Sequence, residues 1–292
     1  MRNSTILFLV IVAFSFGCNL NDNFSEEPMF LQINSIDLIT GPEQGEDTHA
    51  ILDVWVFVDG FNVGVFQVLP DRPARVPIIS DNPTFTVDFF GGIRNNGISQ
   101  TPKQYPFFER VQTEIDFLPN EVVEMDLEFQ YKDDIVFPIL EDFEFGQIYS
   151  EDIDVDQDNS IIITEEPEDV VFGTRAAKYT VGPDELTDFV QATTVFETEM
   201  FGASEVYLEI DFNSEIPFFL GYIGFDEINT FTTDFTILLR PTEGEWTKLY
   251  LDLSSHLNGG LFERFQLLVA GAPDTGSGCI LIDNVKLVHQ AN

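Results

Sequence analysis

The chain has 292 residues, with 51 Asp and Glu against 13 Lys and Arg and a formal net charge of −38. That balance excludes a nucleic-acid binder, which needs a basic footprint, and it excludes docking on anionic lipid headgroups by charge. Thirty Phe and a 44% apolar content supply enough material for a buried core, so the acidity is not that of a disordered tail.

The chain opens MRNSTILFLVIVAFSFGC. Arg2 supplies a positive n-region, and Ile6 to Phe16 form an apolar stretch of signal-sequence length. It is shorter than the roughly 20 residues a spanning helix needs. Small residues at Ser15 and Gly17 precede Cys18, and polar NLNDNFSEEP follows. The pattern resembles the lipobox of Bacteroidota-type lipoproteins, with Ser15 where Leu is usual. The resemblance implies that residues 1–17 are a signal peptide and that Cys18 is acylated as the new first residue. Residues 18–28 would then tether an outer-membrane lipoprotein to the bilayer, facing the periplasm or the cell surface. Loss of Arg2 leaves 12 basic against 51 acidic residues, a charge of −39. Cys18 and Cys279 are too few for a disulfide framework, so Cys279 reads as a small hydrophobe at a strand entry.

From Met29 onward, apolar runs of four to eight residues alternate with turn signals: ILDVWVFVDG, FNVGVFQVLP, TFTVDFF, EVVEMDLEFQ, SEVYLEIDF, DFTILLR, RFQLLVAG and CILIDNVKLV. Short, β-branched and aromatic, they predict an all-β protein. Two β-sandwich domains are expected, at 29–138 and 139–292, each of ordinary size. Within Ile51 to Asp59, Leu52, Val54, Val56 and Val58 share one face, and Asp53, Trp55, Phe57 and Asp59 the other. Asp59-Gly60 then predicts a tight hairpin turn. Helical character is confined to Pro183-Asp-Glu-Leu-Thr-Asp-Phe and Leu253 to Phe262. The acids of Asp152-Ile-Asp-Val-Asp-Gln-Asp lack the Gly and Glu of an EF-hand loop and read as a solvated edge.

In the first half, Asp53-Val-Trp-Val-Phe-Val-Asp-Gly, Gly64-Val-Phe, a Pro-rich DRPARVPII and Gly91-Gly-Ile-Arg-Asn-Asn-Gly-Ile-Ser are similar to a module of Bacteroidota surface lipoproteins. That likeness implies an immunoglobulin-like sandwich. In the second half stand Leu140-Glu-Asp-Phe-Glu-Phe-Gly, Val171-Phe-Gly-Thr-Arg-Ala-Ala-Lys, Gly244-Glu-Trp-Thr-Lys-Leu-Tyr-Leu-Asp-Leu and Ile280-Leu-Ile-Asp-Asn-Val-Lys-Leu. Together they resemble the galactose-binding-like jelly rolls of carbohydrate-binding modules. The resemblance implies glycan binding without catalysis, and a structural calcium. Its matching ligands are Glu141, Asp142 or Glu144 near the first strand and Asp283 on the last, because calcium takes several hard oxygens.

Sugar rings stack their C–H faces on flat exposed aromatics flanked by polar groups. Candidates for this role are Trp55, Tyr105, Tyr149, Phe218 with Phe219, and Tyr222; Trp246 fits core packing better. His49, His256 and His289 stand in no nucleophile or metal motif. These features predict a membrane-anchored, non-catalytic envelope lipoprotein binding polysaccharide through its C-terminal jelly roll. The alternative is a structural subunit docking an outer-membrane protein partner without a sugar site, and a hydrolase is third. An exposed aromatic row favours the first, an exposed apolar patch without a cleft the second, and a pocket of two carboxylates with separated pKa values the third.

Overall fold

The computed structural model describes residues 27–98, 102–153, 161–181, 190–193, 196–197, 205–228, 231–257, 262–271 and 277–291. The signal peptide with Cys18, the 183–189 turn and the acids at 154, 156 and 158 lie outside them.

The first half contributes β1 (Met29–Ile39), β2 (Asp53–Val58), β3 (Phe61–Gln67), β4 (Ala74–Ile78), β5 (Thr84–Arg94), β6 (Pro102–Gln104), β7 (Val111–Asp116) and β8 (Val122–Gln130). They form one sheet in the order β4-β1-β8 and a second in the order β3-β2-β5-β6, with β7 also on β5. The first sheet's β1 and β8 run parallel, and the inward residues of both sheets pack as one core around Leu31, Val54, Val56, Val76, Phe89 and Phe129. Asp59 and Gly60 take φ of 47° and 81°, the left-handed pair that a tight primed turn requires.

The second half contributes β9 (Ile135–Glu141), β10 (Glu151–Asp152), β11 (Ile162–Thr164), β12 (Ala176–Val181), β13 (Val190–Ala192), β14 (Phe196–Glu197) and β15 (Val206–Ser214). It continues with β16 (Phe218–Phe225), β17 (Phe231–Leu239), β18 (Thr247–Asp252), a one-turn helix α1 (Ser254–Leu257), β19 (Arg264–Gly271) and β20 (Gly278–Gln290). One sheet runs β11-β12-β20-β15-β18 with β9 on β20, the other β10-β13-β19-β16-β17 with β14 on β19. Their facing side chains, among them Leu208, Ile210, Phe218, Leu220, Phe265, Leu267 and Leu287, make the second core. The protein is all-β, with two sandwiches. By pairing, β9 belongs to the second, which the chain enters four residues after β8 ends.

Candidate functional site

A sheet in a sandwich has an inner face, spent on the core, and an outer face that is solvated unless something covers it. The second sandwich spends one outer face on the first. On β15, Leu208 and Ile210 point into the core, so Tyr207, Glu209 and Asp211 point out. Cross-strand neighbours complete a three-by-three grid: Asp252, Tyr250 and Lys248 on β18, and Val288, Lys286 and Asp283-Asn284 on β20. Tyr207, Tyr250 and Val288 are buried in the core of the first sandwich.

Glu209, Lys286 and Asp211 of this grid find partners across the junction. Glu209, fully buried, accepts a hydrogen bond from Tyr105 Oη at 2.6 Å and bonds from Tyr131 Oη at 3.0 and 2.9 Å. Lys286 lies opposite Glu209 in register, 5.5 Å above the Tyr131 ring, and donates to the Glu46 carbonyl. Burial draws its amine down to about 8 against the pull of Glu209. Asp211 accepts from Thr48 Oγ1 at 2.6 Å, Asn284 Nδ2 at 3.0 Å and Lys248 Nζ at 3.3 Å. Tyr105 meets Tyr207 and Tyr250 edge-on at 5.2 and 5.1 Å, a favoured aromatic geometry.

The other outer face of the second sandwich (β16, β17 and β19) is buried at its centre, where Ala192, Ile223, Leu268 and Ala270 form a third apolar cluster, each at most 4% exposed. Phe218, Leu220 and Tyr222 point into the core; Phe219, Ile223 and Phe225 therefore point out, with Leu268 and Ala270 of β19 beside them. Phe219 stands 5.4 Å from Phe235 of β17, which is 49% exposed. At the far end the Arg264 guanidinium lies 5.5 Å over the Phe225 ring. The exposed Phe235 ring, with half-buried Phe219 beside it, can stack on a flat apolar ligand face.

The first sandwich keeps its own aromatic outer face. Val54 and Val56 of β2 are in the core, while Trp55 and Phe57 alternate to the outside and are half-buried. Trp55 is opposite Phe90 of β5, and Phe57 meets Phe90 edge-on at 5.4 Å.

The expected platform residues divide sharply by burial. Trp55 reaches solvent, whereas Tyr105, Tyr149, Phe218 and Tyr222 are at most 5% exposed. Tyr105 binds the two sandwiches together, and Tyr149, Phe218 and Tyr222 fill the second core, so none of these four can stack on a surface sugar. Trp246 is half-buried at the turn before β18 rather than in the core. The outward rings Phe225 and Phe235 escaped the sequence analysis, although Phe219 was named beside Phe218.

The four acids expected around calcium do not converge. Glu141 accepts from the Phe143 amide at 2.8 Å and Asp142 from the Glu144 amide at 3.0 Å. Glu144 accepts from the Thr174 amide and hydroxyl and from the Arg175 amide at 2.6–3.0 Å. Asp283 accepts from the Asn284 amide and keeps a buried Oδ2 without a hydrogen-bond partner. Among the described residues, no three His, Cys, Asp or Glu side chains gather as a metal site, so this donor set does not match the many-oxygen shell that calcium takes.

Desolvation, reinforced by Asp211 and Asp142, instead raises the Asp283 carboxyl to about 7. The folded protein then holds a proton that the unfolded chain, with its carboxyl near 3.8, releases. The stability this group confers is present below about pH 4 and is lost as the pH rises through 7. Asp283→Asn should therefore raise the melting temperature at pH 8 by a few degrees, about 2 kcal/mol, and change little at pH 4. A rise in melting temperature with millimolar calcium that D283N abolishes would make Asp283 a cation ligand instead.

A cavity of about 190 Å³ beside Lys286 is lined by Glu46, Glu141, Asp142 and Asn284. Desolvation pushes Glu46 and Glu141 in the same direction, upward.

No family model and no curated protein matches the sequence. Solved structures do. The CBM22-1 xylan-binding domain of Paenibacillus barcinonensis Xyn10C is 12% identical, over 54% of this chain and 96% of that one, with a TM-score of 0.40. A carbohydrate-binding module of the β-sandwich superfamily, described for its promiscuous specificity, is 14% identical over 81% of this chain and 84% of its own, with a TM-score of 0.37. TmCBM61, in complex with β-1,4-galactotriose, is 15% identical over 50% and 92%, with a TM-score of 0.35.

Proposed function

We propose that the protein is a non-catalytic glycan-binding lipoprotein of the cell envelope, held to the outer membrane through acylated Cys18 and presenting Phe235 of its second sandwich to polysaccharide. The observation that carries this reading is the exposed Phe235 ring with half-buried Phe219 packed 5.4 Å from it. Phe235 is 49% exposed on β17, beside the buried Ala192, Ile223, Leu268 and Ala270 cluster. Rings of this kind stack on the C–H faces of pyranoses. With 51 acids against 13 bases on the chain, a neutral polymer fits this surface better than an anionic one.

The test is affinity electrophoresis of the full chain in mild detergent. Gels would carry xylan, mixed-linkage β-glucan, mannan, galactan or polygalacturonate, each run with and without calcium. At least one neutral gel should retard the protein, and Phe235→Ala should weaken that retardation about tenfold, the loss of one stacking ring. Migration unaffected by every polysaccharide would refute glycan binding and leave the docking of an outer-membrane protein as the reading to pursue.

A further inference from the structure

We propose that the end of the first sandwich nearest Cys18 along the chain is a membrane seat, whose exposed apolar side chains Phe61, Ile79, Leu118 and Val122 enter the interface of a bilayer without net charge. The proposal rests on the acylation of Cys18 read above and adds a second contact with the same bilayer.

Strand register brings these segments to one end. β1 starts at Met29, opposite Ile78, the last residue of β4, and Phe30 is opposite Val122, the first residue of β8. In the other sheet β5 starts at Thr84, opposite Asp116, the last residue of β7. The Asp59-Gly60 turn lies beside that start, with the Asp59 amide donating to the Thr86 carbonyl at 2.8 Å. Loop hydrogen bonds tie the segments together. The Asn120 amide donates to the Pro28 carbonyl at 3.1 Å and the Phe117 amide to the Pro83 carbonyl at 2.8 Å, while Asn82 Nδ2 donates to Asp59 Oδ2 at 3.2 Å.

The core receives none of the four side chains: Phe61 is 78% exposed, Ile79 54%, Leu118 51% and Val122 39%. Exposed apolar residues scattered singly are ordinary, whereas several gathered at one end mark an interaction site. The chain itself identifies what covers them. Nine residues, 18–26, separate Cys18 from Glu27, and an extended chain spans at most about 3.5 Å per residue. Acyl chains on Cys18 therefore enter the bilayer within roughly 30 Å of this end. Apolar side chains held so near a headgroup boundary bury area in it, and each added signal strengthens the marginal hold of one acyl chain. The charge here is acidic, from Glu27, Asp59, Asp81, Asp116 and Glu121, with no Lys or Arg among the described residues of these loops. A zwitterionic surface therefore fits and an anionic one does not. β1 and β8 both run from this end to the junction, so the nine residues of β8 hold the second sandwich roughly 30 Å from the seat.

The test uses the lipidated full chain in phosphatidylcholine vesicles. Cys279→Ser removes the native thiol, and an environment-sensitive fluorophore is placed through Ile79→Cys on the seat or Phe145→Cys, 98% exposed on the second sandwich. Flotation reports anchoring and emission reports seating. The protein should float, and the label at 79 should shift to the blue and be quenched by nitroxide-bearing acyl chains, while the label at 145 should do neither. Phe61→Ser combined with Leu118→Ser should speed transfer to acceptor vesicles on the order of tenfold, the loss of buried apolar side chains. A floating protein whose two labels emit alike, or whose transfer the double variant leaves unchanged, would overturn the seat and leave the lipid anchor standing. A protein that does not float would overturn both.

Discussion

Replacing Glu209 with Ala should lower the unfolding free energy by about 3–5 kcal/mol, the cost of breaking a buried charged network by deleting one member. That corresponds to a melting temperature lower by on the order of 10 °C. The loss has two parts. Tyr105 and Tyr131 hydroxyls, both buried, are left without their acceptor, and each buried unsatisfied donor costs about 1–3 kcal/mol. Lys286, 1% exposed, loses the opposite carboxylate that holds its amine up against burial, and a buried amine that is unpaired or forced to shed its proton costs stability. Tyr131→Phe removes one partner and leaves Glu209 bonded to Tyr105, so it should cost only about 1 kcal/mol. Lys286→Met placed on E209A should recover part of the loss, because the orphaned amine disappears. Thermal and denaturant unfolding of the four proteins measures all of this, and an E209A protein within 1 kcal/mol of the parent would show that the network does not hold the sandwiches together.

The second large effect is all-or-none. Cys18→Ala should abolish incorporation of labelled fatty acid and remove the lipid from the intact mass of the mature protein. A single acyl chain gives only marginal membrane binding and stable anchoring takes at least two, and with a charge of −38 on the chain electrostatics cannot substitute on an anionic surface. Fractionation and intact mass report the result together, and unchanged label in C18A would place the acyl group elsewhere.

Much of the fold was legible because strand alternation is a local property. The order Val54 in, Trp55 out, Val56 in, Phe57 out follows from period two, and the Asp59-Gly60 turn from the positive φ that this pair adopts. The same rule explains the failures. Phe218 and Phe219 are chemically alike and adjacent, so they must face opposite ways, and one step in register decides which is core and which is surface. Nothing in the run FFLGYIGF sets that step; the partner strand does. Tyr207, Glu209 and Asp211 alternate with Leu208 and Ile210 and read as an ordinary solvated face. They are buried because a second domain lies on them, and local periodicity carries no information about such a cover. Tyr105 and Tyr131, which meet that face, are likewise indistinguishable in sequence from exposed platform rings. The four expected calcium ligands were chosen by resemblance, whereas the conformation of segment 141–144 turns three of them onto backbone and side-chain donors of nearby loops.

The connection of four residues between β8 and β9, with Tyr131 already committed to Glu209, leaves the sandwiches no swivel. Neither core can then open without stripping Glu209 of its hydroxyl partners, so the two sandwiches should unfold as one cooperative unit, with heat and denaturant transitions that coincide whichever core the probe reports.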